Sequence, residues 1–280
     1  MATSGSTTSG GASQSSNKHG EGKTTEGSVP AAKHLLTATA ARAKAAAAAA
    51  AEGNRVDGRH TAAFRDIHMA LGLVSPAAGS AYVELGGTKV VAAVYGPKPS
   101  FDAQFTASAN VETHVSSAPF AAAGERTSYV PSDSDAEASL LVQAALAAAV
   151  RRDAYPKSTI EVRLLVLEDD GATTGACVSA ASLALAHAGI EMYDLAVGAT
   201  VVQLGDALLV DPSRPEEDAA QGAVALAYMP AVDELSQYAL TGQFDPATLA
   251  TATELALDAA RKWAELMRTV LRDSVTAQSS

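Results

Sequence analysis

Several stretches of this chain gather residue types that could do chemistry. Asp169-Asp170-Gly171-Ala172-Thr173-Thr174-Gly175 sets two acids and two hydroxyls ahead of a run of small residues. A helix starting there would present free backbone N–H groups and a positive dipole end, which suit an anion. A plain helix start uses the same residues. Leu209-Val210-Asp211-Pro212-Ser213-Arg214-Pro215-Glu216-Glu217 offers carboxylates, which taken alone read as loop acids. Arg151 and Arg152 follow a helical pattern, where cations complement the dipole. Lys98 and Arg126 flank strand or loop patterns, where solvent is the simplest environment.

The common chemical signatures are missing. There is no G-x-x-x-x-G-K-[ST] loop, no H-E-x-x-H, no G-x-S-x-G and no Rossmann glycine fingerprint. The six histidines are scattered and form no metal-ligand pair with a carboxylate. Cys177 is the single cysteine, so an internal disulfide and a cysteine zinc site are both excluded, and a reducing compartment fits. No metal and no cofactor is expected.

The elements that would hold these residues are legible. Ser80–Leu85 and Thr88–Tyr95 flank Gly86-Gly87, a two-residue hairpin signal, and a further strand is expected near Thr106–Ser116. Ser134–Val150 reads as a helix capped by Ser134 or Asp135, with Leu140, Leu141, Ala144, Ala145 and Ala148 on its inward stripe. Thr159–Leu167 reads as a buried strand, and Gly175–Ala188 as a small-residue helix. Met192–Gln203 and Ala207–Val210 form a hairpin, followed by strands over Ala223–Met229 and Leu235–Leu240. Asp245 caps a long helix with Pro246 in its first turn. Its inward stripe is Ala252, Leu255 or Ala256, Ala259, Trp263, Met267, Val270 and Leu271. The order predicts an α+β fold with mixed sheets covered by helices.

Residues 1–30 form a Gly/Ser/Thr-rich tail expected to be disordered, and residues 31–52 an alanine-rich helical or low-complexity segment. The folded domain is expected over residues 53–280. Net charge is −11 over 280 residues, and the tail and alanine-rich segment contribute none of that excess. So acidic a body argues against a stand-alone nucleic-acid binder, though other chains of an assembly could supply cations. No apolar leader or membrane-spanning run is evident, so no membrane role is expected.

Three local patterns, taken together and in order, resemble the RNase PH superfamily, and within it the ring subunits of the eukaryotic exosome core. They are Arg55-Val56-Asp57-Gly58-Arg59 with Arg65-Asp66-Ile67 and Gly79–Val90, then Asp169–Gly175 with Ala180–Ala186, then Ala188–Leu195 with Leu209–Glu217. The resemblance spans about residues 54–275 and implies an RNase PH-like domain in a hexameric, hetero-oligomeric ring. It implies partners: other RNase PH-like ring subunits, a cap subunit, and RNA passing through the assembly. It also implies residence in the nucleus, including the nucleolus, and in the cytoplasm.

In active relatives phosphate attacks the terminal RNA linkage and releases nucleoside diphosphates. The resemblance places their phosphate-binding Gly-Thr-Arg run at Ala172-Thr173-Thr174, so Thr174 stands where an arginine would clamp the anion. The pocket at Gly171, Thr173 and Thr174 is thus expected to be degenerate. Their two aspartates six residues apart fall on Asp211 and Glu217, which are vestigial candidates only. Their RNA-facing arginine pair falls on Asp133 and Ser134, where an acid repels phosphate. Lys98, Arg126, Arg151 and Arg152 remain the candidates for RNA contact. The expected function is a non-catalytic structural ring subunit that supports 3'-5' RNA processing and decay. The alternatives are an active phosphate-dependent exoribonuclease subunit and an unrelated α+β interaction domain.

Overall fold

A computed structural model describes Arg55, residues 57–99, 107–122 and 132–278, together with Ala41, Lys44 and Ala45, which are helical. The tail 1–30, the rest of 31–52 and Arg126 lie outside the described residues.

Two sheets and their helices carry the fold. The first sheet comprises β1 (Ile67–Leu71), β2 (Gly79–Leu85), β3 (Thr88–Pro99), β4 (Asn110–Ser117) and β5 (Ser158–Glu168), in the order β1-β2-β3-β5-β4. The hairpin at Gly86-Gly87 pairs Leu85 with Thr88, as the turn residues demand. β4 runs parallel to β5, so a crossover must join them. That crossover contains α1 (Asp133–Ala149). The second sheet comprises β6 (Val197–Leu204), β7 (Ala207–Val210), β8 (Gly222–Met229) and β9 (Glu234–Gly242), in the order β7-β6-β8-β9. Between the sheet sequences lies α2 (Thr173–His187), between β7 and β8 lies the short α3 (Arg214–Ala219), and α4 (Pro246–Gln278) ends the described chain.

The alternation of β2, β3 and β5 sends Val83, Val90, Val94, Ile160, Val162 and Leu164 into the core. α2 packs on β2 and β3 on one side and on β6 on the other. That position explains its composition: eleven of its residues are buried and most are alanine, serine or glycine. Close approach is possible because Gly175 meets Gly198 of β6; a Cβ on Gly198 would lie 2.4 Å from the Gly175 carbonyl. α4 covers β6 and β8 with Ala252, Ala256, Ala259, Ala260, Trp263, Ala264 and Met267. Val270 and Leu271 are only half-buried.

The structure corrects four expectations. β1 and α3 were not foreseen; one is a five-residue strand and the other a six-residue helix, too short to show a period. The cap of α1 is Ser132, not Ser134 or Asp135. Asp135 is its reciprocal partner, accepting from the Ser132 N–H at 3.1 Å while the Ser132 hydroxyl accepts from the Asp135 N–H at 3.2 Å. The inward stripe of α1 is also rotated: Val142, Ala145, Leu146 and Ala149 are buried, while Leu140, Ala144 and Ala148 face solvent. The many alanines of this helix leave its period poorly marked. Finally, α1 ends at Ala149 and carries no basic residue in its last turn, so Arg151 and Arg152 lie beyond it.

Candidate functional site

The start of α2 is the meeting point of the site. Gly171 holds a left-handed backbone, and a Cβ there would lie 2.6 Å from the Pro212 carbonyl, so the loop before α3 rests directly on it. Ala172, the first cap position, is also left-handed (φ +53°), a conformation that disfavours any residue with a Cβ. The turn thereby aims the Ala172 N–H outward, and the Glu217 carboxylate accepts it at 2.8 Å. Asp169 accepts from the Gly171 N–H at 3.2 Å and from the Thr173 hydroxyl. The chain's own carboxylates therefore sit beside the positive end of α2.

Glu217 lines a cavity of about 380 Å³ between α1, the start of α2, and β6, β8 and β9. Ser134, Glu137, Thr174 and Thr200 line it too, and among the described residues no lysine or arginine does. Burial pushes the Glu217 carboxyl up to about 6, with the nearby Asp169 charge adding to it; the Ala172 N–H and the charges of Arg214 and Arg65 oppose the shift. Thr200 is buried, and its hydroxyl oxygen has no hydrogen-bond partner.

Asp211 faces elsewhere. It is buried in a left-handed backbone and does not line the cavity. The Arg65 N–H (2.8 Å), Nε (3.0 Å) and Nη2 (2.7 Å) all donate to its carboxylate, and Arg59 approaches at 3.4 Å. Arg65 also donates to the carbonyls of Asp170 and Gly171, at 2.7 and 3.0 Å. Burial works against the Arg65 charge, but the Asp211 carboxylate outweighs it and holds the guanidinium above its ordinary pKa. Next door, Arg55 grips Glu216 through Nε and Nη2 and donates to the Val210 and Asp211 carbonyls at 2.8 Å each. Glu216 is simultaneously the reciprocal capping partner of Ser213 at the start of α3.

The structure thus brings together Gly171, Thr173, Thr174 and Glu217, and separates Asp211 from the cavity by turning it toward arginines. Asp218 is exposed and pairs with Arg214 at 3.0 Å. Lys98 sits at the end of β3, pairs with Glu161 at 3.2 Å and lies over the Tyr95 ring. Arg151 is exposed and pairs with Glu191 at 3.1 Å, and Arg152 is exposed in a short 3-10 turn. None of these three lines the cavity. Sequence reasoning assigned no role to Arg55, Arg59 and Arg65, although three arginines in eleven residues of an acidic chain were the available signal. Thr200, one valine-rich strand residue among many, gave none. Among the described residues no group of three or more His, Cys, Asp or Glu could hold a metal ion, and no helix is long and apolar enough to cross a membrane.

Comparison with known proteins bears on this geometry. Residues 63–191 match the 3' exoribonuclease family, domain 1, and residues 194–259 match domain 2 of the same family. The chain is 36% identical over 227 residues to the exosome complex component RRP41-like of Arabidopsis thaliana, covering 80% of this chain and 86% of that one. It is 36% identical over 225 residues to the exosome complex component Rrp41 of Pyrobaculum aerophilum, covering 79% and 91%. Among solved structures, rice (Oryza sativa) Rrp46 superposes with a TM-score of 0.68 at 25% identity, over 78% of this chain and all of that one. A chain of the Archaeoglobus fulgidus exosome with RNA bound to the active site superposes with a TM-score of 0.73 at 22% identity, over 82% and 98%, a likeness of fold.

Proposed function

The chain belongs to the RNase PH family of 3' exoribonucleases, and on that premise we propose that it is a non-catalytic ring subunit of an exosome core. It builds the ring with other RNase PH-like chains, carries a cap subunit, and supports 3'-5' RNA processing and decay by a nuclease elsewhere in the assembly. One observation carries this reading: the Glu217 carboxylate occupies the Ala172 N–H at the positive end of α2, where the described residues that line the cavity include no cation. A phosphate entering there would meet Glu217 and Glu137 instead of a guanidinium, and like charges in a partly buried site repel strongly. Asp211, held by Arg65, presents no free carboxylate to the cavity.

Within the ring we propose a position like that of mRNA transport regulator 3, also called exosome component 6. Support comes from Met192-Tyr193-Asp194-Leu195 and Glu265-Leu266-Met267-Arg268, which resemble that subunit and meet in space: Arg268 approaches the Asp194 carboxylate at 3.4 Å. A nuclear, nucleolar and cytoplasmic distribution belongs to the same proposal. So do RNA contacts at Lys98, Arg126, Arg151 and Arg152, made within the assembled ring.

A second reading, an active phosphate-dependent exoribonuclease, is favoured by one feature: a carboxyl with a pKa near 6 is poised to exchange protons at neutral pH. Phosphate-dependent release of nucleoside diphosphates from a short RNA separates the two. No release above background is expected from the purified chain. Release that is abolished by Glu217→Gln would establish the second reading.

A further inference from the structure

The cavity beside Glu217 has walls of a distinct chemistry. Ser134 and Glu137 on α1 and Thr241 near the end of β9 are exposed and set its mouth, while Ala172 and Thr200 are buried and set its floor. Two carboxylates line it, Glu137 and Glu217; the rest of the lining is four hydroxyl side chains, five alanines and Leu141. Thr200 is only 9% exposed, and its hydroxyl oxygen has no hydrogen-bond partner. Its direction follows from β6. Gly198, two residues earlier on the same face, touches Gly175, and a Cβ on Gly175 would lie 3.4 Å from the Thr200 Oγ1. Thr200 therefore points toward the start of α2, the side on which the cavity lies.

The sign of a ligand follows from the charges. The start of α2 contributes roughly half a positive charge, and two carboxylates outweigh it. Glu217 already accepts the Ala172 N–H, and among the described residues no lysine or arginine lines the cavity. The Thr200 hydroxyl can accept a hydrogen bond as well as donate one. The alanine wall makes no hydrogen bonds and suits methylene groups. Among the described residues no group of three or more His, Cys, Asp or Glu gathers to hold a metal ion. Carboxylates, an acceptor hydroxyl and an aliphatic wall together fit an organic cation.

We propose that this cavity binds a small aliphatic ammonium or guanidinium ion, whose N–H groups donate to the Glu217 and Glu137 carboxylates and to the Thr200 hydroxyl. This rests on the non-catalytic reading, under which no phosphate competes for the place. Binding is linked to the ionisation of Glu217. Burial and the Asp169 charge oppose that ionisation, while the Ala172 N–H and the charges of Arg214 and Arg65 favour it. Glu137 on α1 adds a like charge to the same cavity, and β6, β8 and β9 add no charged group to its lining. A cation beside Glu217 favours the ionised form, so its affinity rises as Glu217 loses its proton. With a carboxyl that titrates near 6, the ionised fraction grows about tenfold from pH 5 to pH 7, and the affinity grows with it.

The test is isothermal titration of the full chain in amine-free, low-salt buffer. Diaminobutane is the probe, butanediol its uncharged counterpart and inorganic phosphate the ligand of opposite sign. Saturable one-to-one binding of diaminobutane is expected, about tenfold tighter at pH 7 than at pH 5, with no binding of butanediol or phosphate. Glu217→Gln should lose at least about tenfold in affinity at pH 7 and with it the pH dependence. Thr200→Val should lose about tenfold and keep the pH dependence. Glu265→Gln, which removes an exposed acid on α4 outside the cavity, should bind as the wild type does. Should Glu217→Gln fail to fold, Thr200→Val and the wild-type pH profile decide. An equal loss in Glu265→Gln, or unchanged affinity in both cavity variants, assigns the amine to the acidic surface and overturns the site. An absence of saturable binding overturns the inference and leaves the non-catalytic reading standing. Binding of phosphate in place of the diamine, with release of nucleoside diphosphates from a short RNA, removes that reading and this inference with it.

Discussion

Glu216 and Glu217 are neighbours on one short helix, yet they serve two regions of opposite character. Glu216 points into a nest of arginines, where Arg55 holds it and its carboxyl lies below the ordinary range: burial opposes the charge, and the Arg55 hydrogen bonds outweigh it. Glu217 points into the cavity, where the Ala172 backbone N–H donates to it and burial pushes its carboxyl up. The arginine side is electrically closed, with each buried carboxylate matched by a guanidinium. The cavity side is left open, and its acid is destabilised by folding. Paired burial reads as architecture, and unpaired burial in a cavity reads as a remnant of chemistry.

The arginine side should break hardest. Arg65→Met leaves the Asp211 carboxylate buried with only the Arg65 N–H and a distant Arg59, so a loss of about 3–5 kcal/mol is expected in urea denaturation. Arg55→Met should cost about the same by stranding Glu216. Pairing it with Glu216→Leu should recover most of that loss, because the uncompensated charge is then gone. The Arg55–Glu216 pair also fixes a pH signature. A depressed Glu216 contributes stability that is present above its ordinary value of 4.5 and is lost as pH falls through its lower folded value. Arg55→Met should flatten that acid limb. A loss under about 1 kcal/mol for Arg65→Met would show that this nest is ordinary surface pairing.

How far the sequence foretold this contrast depends on the residue. The strand alternation around Val90, Val162 and Val201 and the Pro246 start of α4 were legible because period and turn chemistry are local. Thr174 in place of an arginine was legible through resemblance, and so was the glutamate at 217. What Glu217 touches was not, because the Ala172 N–H lies forty-five residues away and meets it only through the left-handed turn at Gly171 and Ala172. The arginine partners of Asp211 and Glu216 lie about 150 residues away in sequence, and spacing carries no signal over that distance. The stripe of α1 was misread for a different reason: alanine marks neither face.

The cavity side should move the other way. Glu217 is raised from 4.5 to about 6, so ionising it weakens the folded state. That loss begins as pH rises through 4.5 and is complete above about 6. Glu217→Gln keeps an oxygen for the Ala172 N–H and cannot ionise. It should therefore stabilise the chain by about 2 kcal/mol at pH 7.5, with the gain fading to nothing near pH 4. Chemical denaturation across that range checks both the size and the window. A destabilised variant at pH 7.5 would mean that the carboxylate is paired after all, and the two sides would no longer differ in kind.

The smallest effect sharpens the same contrast without touching a charge. Thr200 carries a buried hydroxyl with no partner, on the strand that floors the cavity beside Glu217. A buried hydroxyl stripped of water is unfavourable, while a methyl of the same shape is welcome beside Ala172, Ala223 and Ala225, which line the cavity with it. Thr200→Val should thus raise stability by about 1 kcal/mol, and the gain should be insensitive to pH because nothing titrates. The arginine side offers no equivalent, since its polar atoms are already matched. If Thr200→Val instead lowers stability, the hydroxyl has a bound water or a small ligand as its partner in solution. The cavity would then be a working polar site, and the reading of Glu217 as the remnant of one would have to give way.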